Sequence, residues 1–264
     1  MWLIIGVSGA TCSGKSTLAR SLKDILPGSE FICQDDFFLP EDSERHTFIP
    51  ALKHNNWEIM SSLDMDKMHK TVDNILSSGN PSSIISFQTL ETITTNITGK
   101  DKALQKTSSP SPELVNVPGS ECKTKANGEI SARSKCETKV NGAPHGLNEL
   151  QSSKSTPGVN ILIIEGFIIF NDKKLADLCQ MKYFLTLSKE ECWARRSVRT
   201  YNPPDVPGYF DVCVWPEYVK HRDQVFKEVS GVNVIDGTLD KTSILNQVLI
   251  DIVNTARQII SKKD

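Results

Sequence analysis

Gly9-Ala10-Thr11-Cys12-Ser13-Gly14-Lys15-Ser16 fills the pattern G-x-x-x-x-G-K-[ST], and the sequence on either side decides how it is read. Upstream, Leu3-Ile4-Ile5-Gly6-Val7 is a short apolar, partly β-branched run of the kind a buried parallel strand needs. Downstream, Leu18, Leu22 and Ile25 recur at helical spacing until Pro27-Gly28 ends the run. A strand, a glycine-rich turn and a helix in that order aim successive main-chain N–H groups and the positive helix end at one polyphosphate. The stretch from Gly9 through Ala10, Thr11, Cys12, Ser13, Gly14, Lys15 and Ser16 to Thr17 is therefore the expected site of a nucleoside triphosphate. Lys15 is expected at the β/γ-phosphates and Ser16 on Mg²⁺.

The rest of the composition narrows the class. With 264 residues the chain can bury a sizeable α/β core, and a formal net charge of −2 gives no global pull toward nucleic acid or anionic membrane. Seven cysteines occur without a C-x-x-C pair or a zinc-type Cys/His cluster, which favours a reduced compartment over a disulfide framework. The start Met1-Trp2-Leu3-Ile4-Ile5 lacks a basic n-region and runs directly into the loop, so a strand is expected there and not a signal peptide. No run approaches membrane-spanning length. These features predict a soluble cytoplasmic or nuclear protein, monomeric, with a small-molecule partner and neither nucleic acid nor membrane.

A second strand is expected at Glu30-Phe31-Ile32-Cys33, ending in Gln34-Asp35-Asp36-Phe37-Phe38. Paired carboxylates in a turn are usually solvated, but in open α/β sheets ligands bind at the carboxyl ends of strands, the edge that also carries the phosphate loop. Residues 40–60 read as polar and irregular and include Asn55-Asn56-Trp57-Glu58; a Trp there is a packing anchor or a ligand contact. A helix opens at Ser62 or Asp64, with Met65, Met68, Val72, Ile75 and Leu76 on one face, and a third strand is expected at Ser83–Phe87.

No aromatic residue then occurs until Phe167, and Ser, Thr, Lys, Asn, Pro and Gly dominate residues 89–158. Such a segment buries too little apolar surface to offset its ordering entropy, which predicts a disordered insertion. Within it Cys122–Gly128 and Cys136–Gly142 form an imperfect duplication, too short for a solenoid.

Order is expected to resume at Val159-Asn160-Ile161-Leu162-Ile163-Ile164-Glu165, a buried strand closing on an acid that can orient Mg²⁺ through its water shell. Met181–Leu187 reads as another strand, and Ser188-Lys189-Glu190-Glu191 as a capping box. The helix it opens carries Arg195, Arg196 and Arg199 and breaks at Tyr201-Asn202-Pro203-Pro204. Arg195 and Arg199, spaced i,i+4, can point at a single anion, as a lid over triphosphate would require. A helix through Tyr218, Arg222, Val225 and Phe226, a strand at Val232–Ile235 and a C-terminal helix with an apolar stripe from Ile244 to Ile260 complete the pattern.

In this order, Gly9 to Ser16, Gln34 to Phe38, Ile164-Glu165-Gly166-Phe167, Arg195 to Tyr201 and Pro203 to Asp211 resemble the animal nicotinamide riboside kinases, of the uridine kinase-like P-loop group. The likeness spans residues 1–88 and 159–264 as one P-loop kinase domain and leaves out the insertion. It implies a parallel sheet flanked by helices with an arginine-bearing lid. It also implies transfer of the ATP γ-phosphate to the 5′-hydroxyl of nicotinamide riboside, and of nicotinic acid riboside, in NAD biosynthesis. By the same resemblance Asp35 is the general base and, with Ser16, a metal contact, while Lys15 and Glu165 complete the catalytic set. Asp36, Phe37, Phe38 and Asn202 border the acceptor, and Trp57 and Tyr201 stack on its ring. Glu58 stands where the family has an Asp on the ribose hydroxyls, and Arg196 is similar to its substrate-contacting arginine. Arg195 and Arg199 match lid residues on ATP, and Leu239-Asp240-Lys241 borders the adenine.

Two other readings stay open on sequence. One is a uridine or cytidine kinase of the same fold; the other is a non-catalytic nucleotide-binding protein. Asp205-Val206-Pro207-Gly208 matches a GTPase D-x-x-G superficially, but it follows no strand-like run and the chain has no N-K-x-D.

Overall fold

The computed structural model describes residues 1–78, 84–105 and 158–261. The chain divides into two units, Met1–Lys102 with Thr156–Asp264, and Ala103–Ser155. The fold and site below belong to the first.

In chain order the elements are β1 (Trp2–Gly9), α1 (Lys15–Ile25), β2 (Glu30–Cys33), β3 (Thr47–Ile49), β4 (His54–Asn56), α2 (Met65–Ser78), β5 (Ile85–Ser86), α3 (Phe87–Gln105), β6 (Gly158–Glu165), α4 (Lys173–Leu178), β7 (Met181–Thr186), α5 (Lys189–Arg196), α6 (Trp215–Glu228), β8 (Val232–Asp236) and α7 (Lys241–Ser261). The main sheet runs β2-β6-β1-β7-β8, and all of these pairings are parallel. Successive side chains on a strand face opposite ways, so the apolar runs of β1 and β6 feed two cores at once. Leu3, Ile5, Val7, Ile161 and Ile163 pack against α1 and α7. Ile4, Leu162 and Ile164 pack on the other face against α2 and α4. Each of these fully buried aliphatic side chains contributes about 1.5–3 kcal/mol.

The register sets the site. Val7 lies opposite Glu165, and Glu165 lies opposite Cys33, so the carboxyl ends of β1, β6 and β2 share one level. The phosphate loop, Asp35 and Glu165 leave the sheet from that level. Gly9 makes the exit possible: its φ is +130°, and a Cβ there would collide with the backbone of Leu185.

Three stretches depart from the sequence reading. The expected third strand is only Ile85–Ser86, paired antiparallel to β6, and α3 begins at once at Phe87 and continues into the stretch expected to be disordered. Its first turns are held down: Leu90 is buried in the α1/α7 core with Ile93 beside it, and Arg257 of α7 reaches Glu91 at 2.8 Å. The remainder of the insertion, residues 106–157, lies outside the described residues, and with it Cys122, Cys136 and their duplication. Residues expected to be irregular form the hairpin β3–β4, with Thr47 opposite Asn56. Finally, the chain enters α6 through a single π-type turn, Phe210–Val214, which turns Phe210, Cys213 and Val214 inward. Among the described residues no helix is long and apolar enough to cross a membrane.

Candidate active site

Helix α1 starts at Lys15 behind Gly14, whose φ of +101° and lack of a side-chain cap leave the first-turn N–H groups facing the loop. Such uncapped donors, with the positive helix end, suit an anion. Ala10 is pinned by its N–H to Leu185 O at 2.9 Å, and Lys15 Nζ folds back to Ala10 O at 2.6 Å. Ser13 Oγ is buried without a hydrogen-bond partner, an orphan that a phosphate oxygen would satisfy. Gly9 and Ala10 shape the loop from beneath, whereas Thr11, Cys12, Gly14, Lys15, Ser16 and Thr17 line a cavity of ≈ 570 Å³.

Glu165, at the end of β6, is 2% exposed. Its Oε1 accepts from Ser16 Oγ at 3.1 Å and its Oε2 from Cys33 Sγ at 3.2 Å. Asp35 opens onto the cavity from the short turn Gln34–Phe37. The protein around it, and next the Glu165 carboxylate, raise its carboxyl above the ordinary aspartate value, against the pull of Lys15. Among the described residues no three His, Cys, Asp or Glu side chains form a metal cage. The hydroxyl of Ser16 and the carboxylate of Asp35 are instead the hard oxygen donors that suit Mg²⁺, which takes one or two protein oxygens and completes its shell with phosphate and water.

Helix α5 opens with the expected capping box on Ser188 and Glu191 but ends at Arg196, before the expected break. The two outer arginines still converge on the loop. Arg195 donates to Cys12 O at 3.2 Å and Gly237 O at 3.1 Å, and Arg199 approaches Cys12 Sγ at 3.4 Å. Cys12 itself carries φ +59°, a region that few non-glycine residues adopt. Burial opposes its ionisation, but hydrogen bonds from Tyr201 and Arg199 outweigh that and bring the thiol below its ordinary range. Behind the loop a second cleft of ≈ 610 Å³ is lined by Leu239, Asp240 and Lys241, and Cys12, Gly14, Thr17 and Arg195 border both spaces.

The other end of the first cavity holds Phe38, Trp57, Glu58, Tyr201 and Asn202. Trp57 is held by its N–H to Tyr209 Oη at 2.9 Å and packed edgewise by Phe38 and obliquely by His46, with ring centroids 5.7 and 4.3 Å away. Phe38 in turn stacks on Phe167. Arg196 is 5% exposed and lies 4.3 Å over the Tyr201 ring. Burial works against its charge, but hydrogen bonds to Asp205 and the nearby Glu58 outweigh it and hold the guanidinium protonated. Burial also raises the Glu58 carboxyl, with Arg196 opposing.

Two of the predicted acceptor-side residues do not line the cavity. Phe37 is 7% exposed and packs in the α2-side core, while its neighbour Phe38 lines the cavity. Asp36 is exposed and does not line it. The sequence reading missed Thr11 as a partner of Arg196, at 3.1 Å, and missed Asp205 and Tyr209 as cavity residues. Asp205 had a signal, an acid just past a Pro-Pro turn following the arginines, but its pairing with Arg196 spans that turn and follows no helical or strand spacing.

Uncapped phosphate donors, an acid closing β6, a second acid just past β2 and arginines folded over the loop define a P-loop small-molecule kinase. The chain is 31% identical over 252 residues to nicotinamide riboside kinase 1 of Mus musculus, covering 94% of this chain and 93% of that one. It belongs to the nicotinamide riboside kinase family. Nicotinamide riboside kinase 2 of Homo sapiens is 32% identical over 257 residues, 97% of this chain and 83% of its own. The Schizosaccharomyces pombe nicotinamide riboside kinase is 27% identical over 246 residues, 90% and 86%. No protein-family model matches the chain. A solved deoxyadenosine kinase from M. mycoides with bound dATP aligns over 95% of this chain and 98% of its own at 11% identity, with a TM-score of 0.35.

Proposed function

We propose that the chain transfers the γ-phosphoryl of ATP to the 5′-hydroxyl of nicotinamide riboside, giving nicotinamide mononucleotide for NAD biosynthesis, with nicotinic acid riboside as a second acceptor. One observation carries the reading beyond family membership: phosphate-side groups and an aromatic, carboxylate-bearing acceptor end line a single cavity.

A primary alcohol is a weak nucleophile and needs a base within hydrogen-bond reach. Asp35, with its raised proton affinity, takes the 5′-hydroxyl proton as the oxygen attacks phosphorus. Lys15 and the lid residues Arg195 and Arg199 meet the charge that spreads over the transferred group. Held by Ser16 and Asp35, Mg²⁺ would neutralise the β- and γ-phosphate oxygens. The adenine lies in the second cleft along Leu239, Asp240 and Lys241. At the acceptor end Glu58 and Arg196 take the ribose hydroxyls, and Trp57 and Tyr201 flank the pyridine ring, whose fixed positive charge favours aromatic faces. Both halves of the site come from one chain, so a monomer suffices. The free cysteines, Cys12, Cys33, Cys179, Cys192 and Cys213, support a reducing compartment such as the cytoplasm.

Mass-spectrometric detection of products from ATP, Mg²⁺ and a mixture of ribosides tests the reading. Phosphorylated nicotinamide riboside is the expected product. Phosphorylation of uridine or cytidine alone would make the chain a pyrimidine nucleoside kinase, and the absence of any product would leave a nucleotide-binding protein.

A further inference from the structure

Arg196 has more partners than a residue reserved for substrate needs. Its Nε donates to Asp205 Oδ2 at 2.7 Å and its NH2 to Asp205 Oδ1 at 2.9 Å, a two-point grip. Its NH1 donates to Thr11 Oγ1 of the phosphate loop at 3.1 Å. Glu58 Oε1 forms an ion pair with NH2 at 3.4 Å, longer than a charge-assisted hydrogen bond. Glu58 is meanwhile pinned through its backbone, its N–H to Asn56 Oδ1 at 2.9 Å and its carbonyl accepting from His221 Nε2 at 2.9 Å. Among the described residues neither oxygen of the Glu58 carboxylate is claimed by a hydrogen bond.

We infer that Asp205 is a positioning residue for the acceptor: by gripping Arg196 on one edge it keeps that guanidinium from closing on Glu58, and so leaves the Glu58 oxygens open to the vicinal hydroxyls of the sugar. The inference rests on the riboside reading of this end of the cavity. Without the Asp205 carboxylate, Glu58 is the nearest fork-shaped partner for Arg196, their ion pair tightens into direct hydrogen bonds, and the acceptor has to break those before it can bind. The side chain that orders Arg196 thus acts on the acceptor through Glu58.

Steady-state kinetics on the full chain separates this role from simple support of the fold. Asp205→Asn is expected to raise the KM for nicotinamide riboside about tenfold or more, the loss typical of hydrogen bonds to a charged group, with the KM for ATP within about twofold. Asp205→Glu, which keeps the charged fork, is expected to restore the riboside KM. In a Glu58→Gln background, where Arg196 has no second carboxylate to close on, Asp205→Asn is expected to add little, because coupled residues are non-additive. A riboside KM unchanged by Asp205→Asn overturns the inference. So does a full additional loss in the Glu58→Gln background, or a parallel rise in both KM values with a lowered Tm. Should Asp205→Asn fail to fold, Asp205→Ser carries the test, since a single hydroxyl cannot make the two-point grip; a raised riboside KM with the ATP KM unchanged supports the inference and an unchanged riboside KM overturns it. No turnover of nicotinamide riboside by the unaltered chain overturns the riboside reading and this inference with it, whereas turnover with an unaffected Asp205→Asn variant overturns this inference alone.

Discussion

The hydroxyl of Ser16 donates to Glu165 Oε1 at 3.1 Å across 149 positions of sequence. The bond joins the first turn of α1 to the end of β6, and the other Glu165 oxygen reaches Cys33 at the end of β2. A serine hydroxyl that offers its lone pairs to a cation must send its proton elsewhere, and the Glu165 carboxylate is the acceptor in place.

Glu165→Gln keeps the shape of that side chain but removes its charge. We expect kcat to fall about 100-fold, the scale of losing one preorganised electrostatic partner, and the Mg²⁺ concentration for half-maximal rate to rise. Initial rates across a Mg²⁺ series check this. An unchanged Mg²⁺ dependence would remove Glu165 from the chemistry and leave it a structural bridge.

Asp35 is exposed where it opens onto the cavity, yet the protein around it and then Glu165 raise its carboxyl above the ordinary aspartate value. A carboxyl of raised proton affinity at a cavity is characteristic of function. Asp35→Asn is therefore expected to lose most turnover, 100-fold or more at about the scale of general-base catalysis. It should bind ATP and show an unchanged or higher thermal midpoint. Calorimetric ATP titration, a melting curve and product formation together test this, and near-normal turnover would rule out Asp35 as the base.

What was legible in the sequence was whatever is local. The phosphate loop, the β6 run ending in Glu165 and the Ser188–Glu191 cap are written in short spacings, and the parallel register then brings Val7, Glu165 and Cys33 level without further information. Helix α3 was masked by its Thr-rich composition, although Phe87, Leu90 and Ile93 recur at helical spacing. The run Arg195–Arg199 contains no breaker, so its i,i+4 pattern reads as helix, whereas the chain leaves α5 after Arg196 and Arg199 N–H turns back to Arg196 O. Asp205 joins the last residue of α5, and the Tyr209 hydroxyl takes the backbone N–H of Trp57, contacts that no periodicity encodes.

His221 gives a pH dependence of stability. Its Nε2 donates to Glu58 O, its Nδ1 is buried without a partner, and burial lowers its pKa below the usual histidine value, against the pull of the Glu58 carbonyl and Glu217. The unfolded chain binds this proton more readily than the folded one. The stabilisation is thus full above about pH 6.5, the unfolded value, and is lost as pH falls toward the folded pKa, with a slope of at most about 1.4 kcal/mol per pH unit. His221→Gln keeps an N–H donor and does not titrate. Its stability gap from the unaltered chain, measured by urea unfolding from about pH 7.5 to 5, should narrow as pH falls. A constant gap would mean that His221 does not titrate on unfolding.

Trp57 decides between stacking and packing. Its backbone is tied to Tyr209 and its ring is contacted by Phe38 and His46, yet it still lines the cavity with Tyr201. If the ring only packs, Trp57→Ala enlarges the cavity and weakens every acceptor alike. If it stacks on a cationic pyridine, an attraction of about 1 kcal/mol or more is lost for that acceptor alone. We therefore expect Trp57→Ala to lower kcat/KM for nicotinamide riboside at least about fivefold more than for uridine. Trp57→Phe, which keeps a smaller aromatic face, should fall between. Equal losses on the two acceptors would assign Trp57 to packing and would move the recognition of the ring's charge to the carboxylates of the acceptor end, Glu58 foremost.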